Sequence, residues 1–173
     1  GAPTSTVETL VYALDEATGG FRFDRGYTSD PATTAHALRT LTEAGYEDPG
    51  GNPDLTVSLG LYYLVQNQRS DGRWSAFDGG GGSLSVTADA LRAFVPYKHQ
   101  TLSGFPGGDI NIDDTVNDAV ASLRNTQQVD GTWGGNLLNT AFAYHALKSA
   151  GAVPIYQDAT ITYLENAQDA SGS

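Results

Sequence analysis

The chain has 173 residues, 39% hydrophobic and 17% charged, and its 20 acidic against 9 basic side chains give a formal charge of −11. That apolar content supports one globular domain with a packed core, and no run approaches the ~20 apolar residues of a membrane span, so membrane insertion is not expected. Cations scattered singly along an acidic chain do not build the basic patch that a nucleic-acid backbone requires, and the absence of cysteine removes disulfides, thiolate catalysis and cysteine-ligated zinc together.

The first predicted helix covers 4–17 and runs into Asp15, Gly19 and Phe21. Asp30-Pro31, an N-cap acceptor before proline at the first helical position, opens a second helix over 31–44. That helix holds Thr34-Ala35-His36-Ala37-Leu38 and closes at Ala44-Gly45, because glycine enters the left-handed cap conformation without steric cost. A third helix over 54–69 leads into Leu64, Gln68, Asp71, Gly72 and Trp74. Four glycines at 79–82 exclude a regular element and predict a mobile loop before a fourth helix over 84–97, which holds Thr87-Ala88-Asp89-Ala90-Leu91. A second glycine-rich loop, Thr101 to Asp109, is expected to be mobile as well.

The fifth helix, 112–128, is amphipathic: Val116, Val120, Leu123 and Gln127 share one face and lead to Asp130, Gly131 and Trp133. The sixth, 136–150, carries Thr140-Ala141-Phe142-Ala143-Tyr144 and closes at Ala150-Gly151. The seventh, 154–169, leads through Leu164 and Gln168 to Gly172. The Thr-Ala pairs recur at a fixed interval (87 − 34 = 53, 140 − 87 = 53). The expectation is therefore an all-α array of helical hairpins, with units at about 4–45, 54–97 and 112–151 and a half unit at 154–173. Amphipathic outer helices alternate with inner helices rich in Ala, Thr and Leu, making seven helices in a partial, open ring. Thirteen residues separate the aromatic from the threonine in the first two units (34 − 21 and 87 − 74) but seven in the third (140 − 133), so two loops overhang one end.

Gln68, Asp71, Gly72 and Trp74, with Gln127, Asp130, Gly131 and Trp133, resemble the QW motif of the terpenoid cyclase and protein prenyltransferase superfamily, whose fold is an α/α toroid. The resemblance covers nearly the whole chain and implies a structural role for these eight residues, tying an outer helix to the loop that follows it. The same toroid serves thioester domains, cobalamin carriers and sugar-active enzymes, so fold analogy does not select a function. Without cysteine, the thioester chemistry and the zinc site of prenyltransferases are excluded.

Asn111-Ile112-Asp113-Asp114-Thr115 resembles the acid signature of cyclases that protonate their substrate, which makes Asp113 and Asp114 the candidate acids. Asn111 stands where the family has an aspartate, and the segment opens an outer helix instead of an inner one. A helix N-cap with acids at the positive end of the dipole is the plainer reading. The alternation of Asp109, Asn111 and Asp113, with Asp114 beside them, also suits an irregular oxygen site for Ca2+, although a complete EF-hand is excluded because Asp114 holds the glycine position. His36, His99 and His145 stand alone in the sequence. His36, Asp89 and Phe142 occupy equivalent positions on the inner helices and, with Tyr144, are the candidate ligand-lining residues.

These readings point to a non-catalytic toroid module of a bacterial secreted or surface protein that binds a ligand or protein partner, with no cofactor or Ca2+ alone. Two alternatives stand: a cyclase or prenyltransferase fragment acting on an isoprenoid, and a polysaccharide-active toroid. Extracellular or cell-surface placement follows from the acidic charge, the abundance of Thr and Gly and the missing cysteine. Gln168 calls for an aromatic at position 174, so the chain reads as part of a longer array. Its C-terminal edge, with Ile161 and Leu164, is expected to meet neighbouring domains or a second copy.

Overall fold

The computed structural model describes residues 13–24, 26–46, 55–77 and 79–172. It is mostly helical: α1 (Pro31–Glu43), α2 (Leu55–Gln66), α3 (Leu84–Phe94), α4 (Ile112–Asn125), α5 (Leu137–Ser149) and α6 (Gln157–Gly172). A 3-10 turn, Val95–Tyr97, extends α3, and two short strand pairs complete the described elements. Of the helix expected over 4–17, residues 4–12 lie outside the described residues. Residues 13–17 are not helical, and Leu14 bridges Phe21 instead.

The inner helices start on a common device. Asp30, Ser83 and Asn136 are extended N-cap residues whose side chains accept from the backbone N–H of Thr33, Val86 and Asn139. The outer helices stop about three residues before their expected ends at 69 and 128. The reason is local: the Arg69 amide donates forward to the Arg73 carbonyl (2.9 Å) and the Gln128 amide to the Thr132 carbonyl (2.9 Å), so the chain reverses there. Gly45 and Gly151 close α1 and α5 with positive φ, whereas Pro96 turns the end of α3 into a 3-10 turn and His99 takes the left-handed conformation (φ 67°).

Helix α3 packs between α1 and α5, and each outer helix lies chiefly on the inner helix before it: α2 on α1, α4 on α3, α6 on α5. Buried alanines at 35, 37, 88, 90, 93, 143 and 146 let these backbones approach closely, while Leu38, Leu41, Leu61, Leu64, Leu91, Phe94, Leu123 and Leu147 fill the space between layers. The glycine-rich loops are held as hairpins, and Gly82 is a strand residue. Strand β1 (Trp74–Ser75) pairs with β2 (Gly82–Ser83), and β3 (Thr101–Leu102) with β4 (Ile110–Asn111), both antiparallel. Arg69 and Ser75 donate to the Gly80 carbonyl at 3.0 and 2.7 Å. Across the other hairpin, Tyr62 stacks on Phe105 (4.5 Å between centroids) and donates to the Pro106 carbonyl.

Candidate functional site

The two Gln-Asp-Gly-Trp turns are built alike. Gln68 Nε2 donates to the Gly72 carbonyl (3.2 Å) and across to the Thr115 carbonyl on α4 (3.0 Å). Gln127 Nε2 donates to the Gly131 carbonyl (3.3 Å) and to Thr160 Oγ1 on α6 (2.8 Å), while its Oε1 accepts from the Tyr156 amide. Asp71 and Asp130 each accept from the backbone amide two residues on, which fixes the turn. A hydrogen bond from the Arg73 side chain holds the Asp71 carboxyl below its ordinary pKa, and the Thr132 backbone amide does the same for Asp130.

Gly72 and Gly131 have φ of 77° and 82°, and a Cβ on either would lie 2.3 Å from the backbone of the next outer helix, at Asp118 and Thr160. Only glycine fits that approach. Trp74 and Trp133 are fully buried, and their Nε1–H groups donate to the carbonyls of Leu64 and Leu123, ten residues back.

The threonine of each Thr-Ala pair completes the clamp. Thr34, Thr87 and Thr140 are fully buried; each hydroxyl donates to the carbonyl four residues back and accepts from the backbone amide of the motif aromatic, Phe21 (2.9 Å), Trp74 (3.2 Å) or Trp133 (3.1 Å). Each of these residues has both roles filled by structure.

The acid segment resolves into a helix start. Asn111 caps α4 by accepting from the Asp113 amide, and Asp113 accepts from the His99 amide (2.9 Å) and pairs with His99 Nδ1 (2.8 Å). The His99 backbone hydrogen bond, reinforced by its ring, lowers the Asp113 pKa. A general acid that starts a cation cascade needs the opposite shift, produced by burial in an apolar pocket. Asp109 and Asp114 are exposed. Among the described residues, no group of three or more His, Cys, Asp or Glu side chains converges as a metal set.

Of the residues expected to line an inner face, His36 is exposed, Asp89 and Phe142 are half-buried, and Phe142 packs against the core. Tyr144 is half-buried and shares the register of Leu38 and Leu91, about 200° around the helix from Phe142.

One turn beyond the expected residues, the inner helices carry Arg39, Arg92 and His145, again at the 53-residue interval (92 − 39 and 145 − 92). They line a cleft of about 230 Å³ with Thr42, Glu43 and Val95. Asp89 Oδ1 lies 2.7 Å from Arg39 Nη1 and 3.8 Å from Arg92 Nη1, and Glu43 lies 3.4 Å from Arg39. Burial and then the Arg39 charge pull the Arg92 pKa down; His145 is exposed at the mouth of the cleft, and its partial desolvation, then Arg92 and Arg39, pull its pKa down. The three positions escaped the motif reading because the Thr-Ala segments were closed one residue earlier, at Leu38, Leu91 and Tyr144, although arginine recurs at 39 and 92. Extending the 36, 89, 142 series by three residues would have found them.

A second, more open cleft of about 420 Å³ lies between the Asp71-Gly72 turn and α4, lined by Arg73, Asp118 and Asn125 among others. No protein-family model matches this sequence, and no curated protein sequence aligns with it. The resemblance to the QW motif rests on the motif residues of the sequence alone.

Proposed function

We propose that the chain is a non-catalytic module of the α/α-toroid type, in which helical hairpins stack through the Gln-Asp-Gly-Trp turns and a ligand or partner protein is held on the inner-helix face. The observation that carries this reading is the pair of similar clamps: in each, a glutamine and a glycine of one unit engage the outer helix of the next. Such bonds propagate an array from neighbour to neighbour, which is how repeat architectures gain stability. The segment nearest to a catalytic signature supports the same conclusion, since Asn111 and Asp113 are engaged in capping α4 and holding the His99 turn. The acidic, cysteine-free composition favours placement outside the cell, on or released from a bacterial surface.

The test is a product assay. Incubation with squalene, with prenyl diphosphates and with acidic polysaccharides, followed by mass spectrometry, is expected to return each substrate unchanged. Turnover of any one of them overturns the non-catalytic reading.

A further inference from the structure

The chain carries a net charge of −11, a background that repels anions. Against it, α1, α3 and α5 each present a nitrogen base at one register position, and all three line the same cleft. The carboxylates present do not satisfy them equally. Arg39 is well paired, at 2.7 Å to Asp89 and 3.4 Å to Glu43. Arg92 is not: its side chain is 20% exposed, and its ion pair among the described residues is a 3.8 Å approach to an Asp89 oxygen already engaged by Arg39.

A half-buried guanidinium beside a like charge is costly unless an anion joins it. Arginine's planar fork suits a two-oxygen acceptor, and such charge-assisted bonds are about twice as strong as neutral ones. The rim adds Thr42 and Ser149, whose hydroxyls donate to the Leu38 and His145 carbonyls, and apolar contact in Val95 and Pro96. The volume of about 230 Å³ is smaller than the ~300–1,000 Å³ of drug-sized sites, so it takes one compact group and not an isoprenoid chain.

We propose that the cleft between α1, α3 and α5 is an oxyanion-binding site, in which Arg92, supported by Arg39 and His145, holds a single carboxylate, sulfate or phosphate group of a small ligand. This rests on the binding-module reading and names the ligand chemistry that the module would select. Asp89 positions the two guanidiniums by bridging them, and Glu43, which is 68% exposed, is the countercharge that an entering anion displaces from Arg39.

The experiment is a titration of the full chain with sodium sulfate, phosphate, acetate and glucuronate at constant ionic strength, followed by NMR of the arginine Nε–H groups and histidine rings. A saturable shift at Arg92 and His145 with at least one anion is expected, and the arm that saturates first distinguishes a carboxylate source from a phosphate or sulfate source. Arg92→Gln should weaken that binding at least tenfold, Arg92→Lys should restore part of it, and Arg124→Gln, on the exposed side of α4, should leave it unchanged. Should Arg92→Gln fail to fold, His145→Asn tests the same site with an expected loss of about threefold or more. Linear, unsaturable shifts with all four anions, or equal affinity in wild type and Arg92→Gln, overturn the proposal. The product assay is independent of this outcome, so failure of the site and failure of the binding-module reading are separable.

Discussion

The Trp-Thr clamps and the Arg39–Arg92–His145 cleft share the inner helices, on which the clamp threonines and the cleft residues both recur every 53 positions, and differ in how completely their polar groups are matched. In the clamps every named donor has an acceptor within the fold: the indole N–H groups reach carbonyls, the threonine hydroxyls bond twice, and the glutamine amides bridge two elements. In the cleft a half-buried cation faces another cation and shares one carboxylate. Fully matched polar groups thus mark what holds the helices together, whereas the incompletely matched cation at Arg92 marks a surface left over for recognition.

The largest effect that would sharpen this contrast is expected at the tryptophans. Trp74→Ala or Trp133→Ala should destabilise the fold by about 3–5 kcal/mol, the cost of truncating a large buried aromatic, read from denaturant midpoints. An unchanged midpoint would place the indoles outside the core.

The glycines come next, and they separate backbone strain from helix contact. Gly45→Ala, with φ of 68° and open space around it, should cost about 1–2 kcal/mol from the left-handed conformation alone. Gly72→Ala adds a collision with the α4 backbone and should cost about 3 kcal/mol or more. Equal costs would show that the turn does not bear on the next helix.

Thr87→Val keeps the shape and removes the hydroxyl, leaving the buried Trp74 amide without an acceptor. A loss of about 1–3 kcal/mol is expected from the unfolding midpoint. Thr40→Val, on the exposed side of α1, should be close to neutral by the same measurement.

The smallest effect concerns Asp113 and its dependence on pH. Its pKa is depressed in the folded state by His99, so the pairing contributes stability above the ordinary aspartate value of 3.8 and loses it as pH falls through the folded pKa. Asp113→Asn should therefore lower the melting temperature near neutrality, with the difference closing between about pH 5 and pH 2. A difference that stays constant with pH would show that the ionised carboxylate does not hold the turn.

Much of the fold was legible in the sequence because its signals are local. Asp30-Pro31, Ala44-Gly45 and Ala150-Gly151 placed the ends of α1 and α5, and the period of Val116, Val120 and Leu123 placed the buried face of α4. The outer-helix ends were overestimated, since Gln68 and Gln127 continue the helical period while their bonds run across to α4 and α6, which no local pattern reveals. The glycine-rich loops read as mobile because the bonds that secure them, such as Arg69 to Gly80 and Tyr62 to Pro106, join residues 11 and 44 positions apart. The cleft was missed for a related reason: only the packing of α1, α3 and α5 brings its three bases together.

Native-state hydrogen exchange at the Trp74 and Trp133 backbone amides, followed by NMR, tests the structural reading of the motif most directly. Both amides are buried and bonded to the threonine that opens the next inner helix, so they should exchange only through global unfolding, with free energies matching the denaturant-derived stability. Exchange at the rate of exposed loop amides would contradict the account, because the clamp would then open without unfolding the array.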